Sequence, residues 1–481
     1  MGLRLENRNL IDGCWVHADD GSVLAVTNPA TDSVVAQVPR CGGDETDHAI
    51  DAASKAFPAW RARTAGERAA ILDKLAGLMR RDSDRLAALM TAEQGKPIAE
   101  SKGEIAYAAS FLDWSAEEAK RMYGETIPAS APNKRILVLR EPVGVCGIIT
   151  PWNFPSAMIT RKLGPALASG CTVVIKPAEE TPLSAIALGE LAIEAGVPNG
   201  IVNIVTGDPR EIGGRIMSDR RVRKLSFTGS TEIGRLLMKQ ASGNLLRLSL
   251  ELGGHAPFIV FDDADVDAAI KAAVACKFRN AGQTCVCANR FYVQSGVYDA
   301  FMSGFADAVR ELKVGVGTDN GVTIGPLIND DAIVKVERQV ADAREKGAKI
   351  LAGGERASVD GGTGRFYQPT LIDGMTEEML IHAEETFGPV APVRRFEHED
   401  EAIRWANDSD YGLAAYFFTS NASRLIRVAE RLEYGIIGAN DGGPSTAQAP
   451  FGGIKQSGFG REGGKYAIEE YTQLKYVSWG V

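Results

Sequence analysis

The chain has 481 residues, of which 45% are hydrophobic and 24% charged, and this composition excludes a mainly disordered or collagen-like chain. Its length allows about two to four domains of roughly 100–200 residues each. The 53 Lys and Arg residues against 62 Asp and Glu residues give a net charge of −9, so no nucleic-acid partner is expected.

The cysteines and the apolar runs indicate where the protein works. Seven cysteines are an odd number and too few for a disulfide framework in a chain this long, which favours a reducing compartment. No run reaches the roughly 18 apolar residues of a membrane helix, and residues 1–15 lack the apolar centre of a signal peptide. We therefore expect a cytoplasmic protein with no membrane partner. The five histidines have no metal-ligand spacing, so no metal is expected.

Three amphipathic helices are predicted between Glu67 and Met122. Apolar residues recur there at helical spacing, and breaks at 82–84 and 95–97 divide the stretch. Two runs rich in β-forming residues follow, at 135–140 and 143–149. They predict an exposed strand and then a buried one.

Short apolar strands and helices then alternate. The predicted order is helix 156–169, strand 171–175, helix 183–195, strand 201–205, helix 209–217, strand 222–228, helix 231–241 and strand 246–251. Such alternation is typical of βαβ units. It predicts an α/β class fold with a doubly wound, nucleotide-binding domain around a buried parallel sheet.

A second alternating block, from Phe258 to about residue 440, predicts a second α/β domain. Gly- and Pro-rich breaks are expected within it near 315–326, 353–364 and 388–392. The tail from Glu469 predicts a terminal strand that is too short to be stable alone. We expect this strand and the 135–140 strand to pair elsewhere, and another subunit is one place for them.

Three residues at the ends of predicted strands or in loops are candidates for catalysis. Cys285 lies in a polar stretch with Gly282, where a loop can expose the sulfur and offer backbone N–H groups to an oxyanion. Glu251 closes an apolar strand, and Asn153 lies between two prolines at another strand end. Taken singly, each also fits an ordinary structural role: an inert cysteine, a capping glutamate and an Asx-turn asparagine.

Two further strand ends suggest a nucleotide. Residues 227–234 follow a strand and open a helix, so their amides and the helix dipole are suited to a pyrophosphate. Lys176 and Glu179 follow another strand, where an acidic residue accepts bonds from an adenosine ribose and repels a 2′-phosphate. A plain strand-to-helix turn explains the first pattern nearly as well.

The combination of these segments is more specific than any one of them. In order, it resembles the NAD(P)-dependent aldehyde dehydrogenase superfamily across nearly the whole chain, and the interval between Glu251 and Cys285 is the family's usual one. The matching segments are TPWNFP (150–155), KPAEETP (176–182), FTGSTEIG (227–234), ELGGHAP (251–257), GQTC (282–285), ETFGPV (385–390) and PFGGIKQSG (450–458).

The resemblance implies a role for each catalytic candidate. Cys285 is the implied nucleophile, Glu251 the general base, and Asn153 with the Cys285 backbone N–H the oxyanion donors. Some activation of the Cys285 thiol by its surroundings is expected, because free cysteine has a pKa near 8.5. The residues implied to contact the cofactor, with Phe387 on the nicotinamide side, are Thr150, Trp152, Lys176, Glu179, Gly229, Ser230, Glu385 and Phe387. The expected cofactor is NAD, since Glu179 disfavours NADP, although dual use stays open.

The substrate is indicated by two arginines near the implied nucleophile. Arg161 and Arg279 lie in segments similar to those of succinate-semialdehyde dehydrogenases, in which two arginines and a serine hold the substrate carboxylate. The serine corresponds to Ser445. Gly443 and Pro444 replace the apolar residues expected before it, so glutarate and 2-oxoglutarate semialdehydes remain alternatives to succinate semialdehyde.

Cys287, two residues after the implied nucleophile, raises a redox hypothesis. In some relatives such a pair forms a reversible disulfide, which would be strained and readily reduced. The alternative is an accidental second cysteine.

The resemblance also implies a division of the chain and an assembly. Residues 1–123 and 143–252 would bind NAD, 253–455 would form the catalytic domain, and 124–142 with 456–481 would assemble a homodimer or homotetramer. Two other functions are alternatives to the hydrolytic dehydrogenase. One is an idle scaffold, which the presence of all three catalytic candidates disfavours. The other is an acylating enzyme that uses coenzyme A, against which Glu251 argues.

Overall fold

The structure, a computed structural model, describes residues 7–481. Most of the strands in residues 7–252 build one large sheet and its helices. The strands are β1 (Asn9–Ile11), β2 (Cys14–Val16), β3 (Val23–Thr27), β4 (Val34–Pro39), β5 (Glu125–Ile127), β6 (Lys134–Pro142), β7 (Val145–Ile149), β8 (Thr172–Lys176), β9 (Val202–Ile204), β10 (Val222–Thr228) and β11 (Arg247–Glu251). The helices are α1 (Gly43–Arg61), α2 (Ala65–Arg81), α3 (Ser83–Gln94), α4 (Ile98–Ala119), α5 (Ala157–Ser169), α6 (Pro182–Ala195), α7 (Pro209–Ser218) and α8 (Thr231–Ala241).

The second half repeats the alternation. Its strands are β12 (Ala256–Val260), β13 (Ala288–Gln294), β14 (Lys349–Ala352), β15 (Thr370–Asp373), β16 (Val390–Phe396), β17 (Tyr411–Gly412), β18 (Ala414–Phe418) and β19 (Ile436–Ala439). Its helices are α9 (Val266–Phe278), α10 (Ser295–Arg310), α11 (Asp330–Glu345), α12 (Leu380–Ala383), α13 (Glu399–Asn407) and α14 (Ala422–Arg431), with a 3₁₀ turn at Arg279–Gly282. The tail adds β20 (Ile454–Lys455), β21 (Gly458–Phe459), α15 (Tyr466–Glu470) and β22 (Thr472–Gly480).

The first sheet has the order β2-β1-β9-β8-β7-β10-β11-β21, and its centre from β9 to β11 is parallel. The predicted doubly wound α/β fold is thus confirmed. The chain runs outward from β7 to β9 and then returns to β10 on the other side of β7, which makes a topological switch point between β7 and β10. Ligands of such folds bind at the carboxyl ends of the strands beside that point. The loops after β7 and β10 carry Asn153 and Gly229.

The second sheet has the order β14-β15-β16-β13-β12-β18-β19 and is parallel except for β14. One predicted break there is wrong in part, because β16 begins at Val390 within the 388–392 segment. Only Gly388 and Pro389 form the break, and Pro392 lies inside the strand, where the apolar neighbours Val390 and Ala391 are fully buried.

The 135–140 strand and the tail, which were expected to pair elsewhere, both find a partner within this chain. These segments pair with each other, since β22 runs antiparallel to β6 from Thr472↔Pro142 to Gly480↔Lys134. With β5 they form a three-stranded sheet. The 456–481 segment divides, because β21 joins the first sheet beside β11. Within residues 7–481, no helix is long and apolar enough to cross a bilayer.

Candidate active site

A cavity of about 600 Å³ opens at the switch point of the first sheet. Asn153 and Cys285 line it together, so the loop after β7 meets the loop after α9. All eight residues expected at the cofactor also line it: Thr150, Trp152, Lys176, Glu179, Gly229, Ser230, Glu385 and Phe387. Six of the seven segments that carry the family resemblance therefore converge on one cleft, whereas no residue of PFGGIKQSG (450–458) lines it.

Other lining residues were not anticipated from the sequence. Asp331 and Lys335 reach the cavity from the first turns of α11, and Glu180 lies beside Glu179. Helix α11 belongs to the second half of the chain, and its contribution follows from how the two halves pack. No local motif around Lys335 signals that contact.

The turn before Cys285 is held in an unusual backbone conformation. Asn280, Ala281 and Gly282 have φ values of 52°, 54° and 76°, which is the left-handed region that disfavours alanine. A Cβ on Gly282 would lie 2.1 Å from the carbonyl oxygen of Gly388, and one on Gly254 would lie 2.3 Å from that of Cys285. The close approach of other backbone segments thus fixes the position of the nucleophile loop.

The thiol of Cys285 is less acidic than the sequence led us to expect. Burial raises its pKa to about 12, with Glu251 and Glu385 acting in the same direction, while Arg161 and Arg279 lower it. The expected activation by the surroundings is therefore wrong for this state of the protein. The position of Cys285 in a polar loop did not reveal the burial of its thiol, because a polar loop can still be enclosed by the rest of the fold.

Asn153 is anchored on both sides of its peptide. Its carbonyl accepts hydrogen bonds from Lys96 Nζ at 2.7 Å and from Asn280 Nδ2 at 3.0 Å. Its side-chain Nδ2 donates to the carbonyl of Gln283 at 3.0 Å, two residues before Cys285. An amide has two N–H donors, so the second remains for a ligand in the cavity.

Glu251 ends β11 and is buried, and both of its carboxyl oxygens lack a hydrogen-bond partner among the described residues. Burial and the nearby Glu462 carboxylate raise its pKa to about 8, against the opposing effects of Arg161, Lys162 and Arg461. Its main chain is fixed, since Gly229 donates its N–H to the Glu251 carbonyl at 3.0 Å. Glu251 is not among the residues that line the cavity.

The Glu462 cluster (Arg161, Lys162, Glu251 and Glu462) is a buried group of charges next to Glu251. Glu462 contacts Arg161 Nε at 3.0 Å and also pairs with Lys162, whose Nζ bonds Thr228 Oγ1 at 2.5 Å. These two cations keep the pKa of the Glu462 carboxyl below its usual range despite burial. The Glu462 carboxyl therefore favours its ionised form, whereas the Glu251 carboxyl keeps its proton to a higher pH than an ordinary glutamate.

The two arginines expected to bind a substrate carboxylate have different surroundings. Arg161 is buried, with its guanidinium 3.7 Å from the Phe451 ring centroid, and its buried Nη2 has no hydrogen-bond acceptor among residues 7–481. Arg279 is exposed and has no carboxylate within ion-pair distance in the described chain. The positive charges of both arginines lower the pKa of the Cys285 thiol, against the larger opposing effect of burial.

Ser445 lies with Arg279 but apart from Arg161. A second cavity, of about 440 Å³, is lined by Arg279, Ser445 and the preceding residues Gly443 and Pro444. Arg161 does not line this cavity and faces Glu462 instead. The structure therefore brings Arg279 and Ser445 together around one cavity, whereas Arg161 forms an ion pair with Glu462.

The cofactor residues form surroundings that fit a dinucleotide. Ser230 caps α8, accepting from the N–H of Ile233 at 3.3 Å, so the first amides of that helix face the cleft. Gly229 is closely packed, since a Cβ there would lie 2.4 Å from the Phe227 ring. Lys176 Nζ pairs with Glu179 Oε1 at 2.5 Å. These features suit the phosphates and ribose of NAD(P).

An aromatic wall lies where the resemblance implies the nicotinamide. The rings of Trp152 and Phe387 meet edge to face at 5.6 Å, and Phe387 has a left-handed φ of 52°. Glu385 accepts the N–H of Gly254 at 2.9 Å, and burial raises the pKa of its carboxyl. A strained backbone at a cleft wall is typical of functional sites.

Cys287 faces away from the cleft. Its buried sulfur donates to the carbonyl of Lys277 at 3.3 Å, whereas Cys285 lines the cavity. The disulfide hypothesis for this pair stays a hypothesis. Across residues 7–481, no three His, Cys, Asp or Glu side chains are grouped as metal ligands.

Comparison with known proteins places this site in a family. Residues 15–477 match the model of the aldehyde dehydrogenase family. The chain is 58% identical to an Escherichia coli succinate-semialdehyde dehydrogenase [NADP(+)], with 98% of this chain and 97% of that protein covered. It is 57% identical to a Pseudomonas aeruginosa glutarate-semialdehyde dehydrogenase, at the same coverage.

Solved structures agree with this assignment. A crystal structure of an E. coli NADP-dependent enzyme matches with a TM-score of 0.98 at 57% identity, covering 99% of this chain and 98% of that one. A Burkholderia pseudomallei succinate-semialdehyde dehydrogenase matches with a TM-score of 0.97 at 54% identity and the same coverage. The chain belongs to the aldehyde dehydrogenase family and is an NAD(P)-dependent aldehyde dehydrogenase.

Proposed function

We propose that this aldehyde dehydrogenase oxidises an aldehyde that carries a carboxylate at its far end, with succinate semialdehyde, oxidised to succinate, as the first candidate. The observation that carries the proposal is the buried Nη2 of Arg161, which has no acceptor although it lies close enough to affect Cys285. Buried donors are almost always hydrogen-bonded, so an acceptor from the substrate is expected there. The exposed guanidinium of Arg279, which lies 5.2 Å from the Phe154 ring centroid and has no ion-pair partner among the described residues, supports the same conclusion.

A longer semialdehyde is the second candidate. Gly443 and Pro444 line the cavity that Arg279 and Ser445 share, and small or rigid residues there leave room beside the serine. The similar P. aeruginosa protein is named for glutarate semialdehyde. Glutarate and 2-oxoglutarate semialdehydes would use the same arginines.

The first half of the proposed reaction takes place on Cys285. The sulfur, once deprotonated, attacks the aldehyde carbon and forms a thiohemiacetal. Its oxyanion accepts hydrogen bonds from the free N–H of the Asn153 side chain and from the Cys285 backbone N–H. Loss of one such donor typically costs about 100- to 1000-fold in rate. A bound NAD(P) would supply the hydride acceptor, and loss of hydride from the thiohemiacetal carbon would leave a thioester on Cys285.

The second half is hydrolysis of that thioester. Glu251, in its ionised form, takes a proton from the attacking water and so acts as general base. Its pKa of about 8 suits this role, because the carboxylate is basic enough to accept the proton and is partly ionised at neutral pH. The C–S bond then breaks and returns the Cys285 sulfur with the acid product.

We propose NAD as the preferred cofactor. Glu179 stands in the cleft paired with Lys176, so the lysine charge is already matched by a carboxylate. A 2′-phosphate on the ribose would meet that carboxylate and be repelled. The remaining contacts are assigned to Thr150, Trp152, Gly229, Ser230, Glu385 and Phe387, which line the same cavity.

The division of labour along the chain and the assembly are part of the proposal. Residues 1–123 and 143–252 bind NAD, 253–455 complete the catalytic site, and 124–142 with 456–481 form a homodimer or homotetramer. The three-stranded sheet supports the last role, because Leu474, Tyr476 and Trp479 on β22 are each at least 60% exposed. Apolar side chains exposed in a row typically mark an interface.

A substrate panel tests the proposal. NADH formation is measured with succinate, glutarate and 2-oxoglutarate semialdehydes beside propanal and butanal, without coenzyme A. We expect a strong preference for one semialdehyde and release of the free acid. Equal rates with the uncharged aldehydes would contradict the substrate assignment, a requirement for coenzyme A would contradict the hydrolytic step, and no reaction at all would favour the idle scaffold.

A further inference from the structure

Lys96 has one of the least exposed charges in the molecule. It lies between α3 and α4, and the relative exposure of its side chain is 0%. Burial lowers the pKa of its ammonium. Removing an ammonium from water carries a large desolvation cost, so a buried lysine needs close partners in good geometry.

The Lys96 ammonium makes two hydrogen bonds and one contact with an aromatic ring. One N–H bonds Glu104 Oε2 at 2.6 Å, another bonds the carbonyl of Asn153 at 2.7 Å, and the ammonium lies 4.0 Å from the Phe154 ring centroid. Glu104 in turn accepts the N–H groups of Ser156 and Ala157 through its other oxygen. The pair therefore joins α4 to the loop between β7 and α5.

The same corner also holds the nucleophile loop. Asn280 donates its side-chain N–H to the Asn153 carbonyl, and its backbone N–H bonds Glu100 at 2.8 Å. Its Oδ1 accepts from Gln94 Nε2 at 3.0 Å. The carbonyl of Asn153 is thus the point at which α3, α4 and the left-handed turn before Cys285 meet.

We propose that Lys96 is a positioning residue for the oxyanion hole. It holds the Asn153 carbonyl, and with it the Asn153 side chain, at the distance from Cys285 that the thiohemiacetal oxyanion requires. Lys96 does not line the cleft, so it would act on the reaction only through Asn153. The inference rests on the proposed oxyanion role of Asn153. Displacement of a catalytic group by about 1 Å can cost on the order of 100-fold in rate.

Two variants remove the contact in different ways. Lys96→Met together with Glu104→Gln deletes the ion pair without leaving a buried charge unpaired, and the glutamine oxygen can still accept the N–H groups at the start of α5. Lys96→Arg keeps the charge but replaces the compact ammonium with a wide planar group. Lys224→Met is the matched control, because Lys224 is also buried, and its ammonium bonds Ser249 and pairs with Glu470 at 3.4 Å rather than contacting Asn153.

The test is a double-mutant cycle with Asn153→Ala, read as kcat/KM for the semialdehyde and as the Kd for NAD. We expect Asn153→Ala to lose about 100- to 1000-fold in kcat/KM. The Lys96 variants should lose about 10- to 100-fold with little change in Kd for NAD, and should cost less than about threefold more when added to Asn153→Ala. The Lys224 control should keep its activity.

The outcomes separate the two claims. Losses that multiply in the combined variants, or Lys96 variants as active as the Lys224 control, would overturn the positioning role alone. Full activity of Asn153→Ala would remove the oxyanion role of Asn153 and the positioning role with it.

Discussion

Two buried charge clusters adjoin the catalytic loops, and they differ in how completely their atoms are hydrogen-bonded. In the Lys96 cluster (Lys96, Glu100 and Glu104), the ammonium makes two hydrogen bonds and a contact with the Phe154 ring, and both oxygens of Glu104 accept bonds. In the Glu462 cluster, Nη2 of Arg161 and both oxygens of Glu251 have no partner among the described residues.

The difference separates groups that hold the site from groups that serve the reaction. A satisfied buried network rigidifies its surroundings, whereas an unsatisfied buried atom is costly unless something outside the chain completes it. In an aldehyde dehydrogenase, the substrate and the hydrolytic water are the molecules that enter the site and can complete such atoms. We therefore assign the Lys96 cluster to positioning and the open atoms of the Glu462 cluster to the substrate carboxylate and the hydrolytic water.

Removal of the Cys285 sulfur should abolish aldehyde oxidation, the reaction that both clusters are proposed to support. For Cys285→Ser we expect kcat to fall at least about 1000-fold with every aldehyde, because serine has no comparable thiolate and no base positioned for its hydroxyl. Steady-state NADH formation measures the loss, and NAD titration checks that the fold persists. A loss smaller than about tenfold would mean that another residue attacks the aldehyde.

Glu251→Gln tests the open carboxylate of the Glu462 cluster. Deacylation should slow about 100- to 1000-fold, so one equivalent of NADH forms rapidly and a thioester on Cys285 accumulates, which mass spectrometry detects. Steady-state turnover without that burst would contradict the base role.

The pH dependence sharpens the same assignment. Glu251 acts when deprotonated, and its pKa is raised to about 8, so the wild-type deacylation rate should rise from pH 7 to 9 with a midpoint near 8. The inflection should be absent from Glu251→Gln. A wild-type rate independent of pH over this range would mean that a different group takes the proton.

Arg279→Gln tests the exposed half of the carboxylate site. Loss of a charged hydrogen bond of about 1.5–3 kcal/mol corresponds to a fall of roughly 10- to 100-fold in kcat/KM for the semialdehyde. Propanal should be unaffected, since it has no carboxylate. Arg310→Gln, a surface arginine, is the control. Equal losses with both aldehydes would assign Arg279 to the fold instead.

Glu179→Ser is expected to have the smallest effect. Removal of the carboxylate frees Lys176 and lifts the repulsion of a 2′-phosphate, so kcat/KM with NADP should rise about tenfold while that with NAD falls a few-fold. Initial rates at equal concentrations of the two cofactors measure the ratio. An unchanged ratio would show that Glu179 does not select the cofactor.

Periodicity and strand-end motifs were enough to predict the central sheet. The strand at Val222–Thr228 and the helix at Thr231–Ala241 begin and end where their patterns do. Local patterns work there because β-forming residues such as Val222, Leu225 and Phe227 recur along the strand, and the turn after it carries Gly229 and Ser230. The cleft followed from the topology, since parallel strands bring their carboxyl ends to one edge.

The contacts of the site that the sequence did not predict depend on packing between residues far apart in the chain. Lys96 meets Asn153 across 57 positions, and Lys162 meets Glu462 across 300. No spacing rule connects such residues, and the Gly95-Lys96-Pro97 segment indicated only a helix break. The raised pKa of Cys285 could not be predicted from its local sequence either, because the burial of the thiol is set by the whole fold. A buried charge beside a strand-end motif is the signal to look for.

Arg161 provides the most direct test of the central claim. The ratio of kcat/KM for succinate semialdehyde to that for butanal is measured in the wild type and in Arg161→Met. Because each ratio is taken within one protein, general losses of activity cancel. The account predicts a high ratio in the wild type and a fall of about 10- to 100-fold in the variant, as expected for a charged hydrogen bond. An unchanged ratio would contradict it.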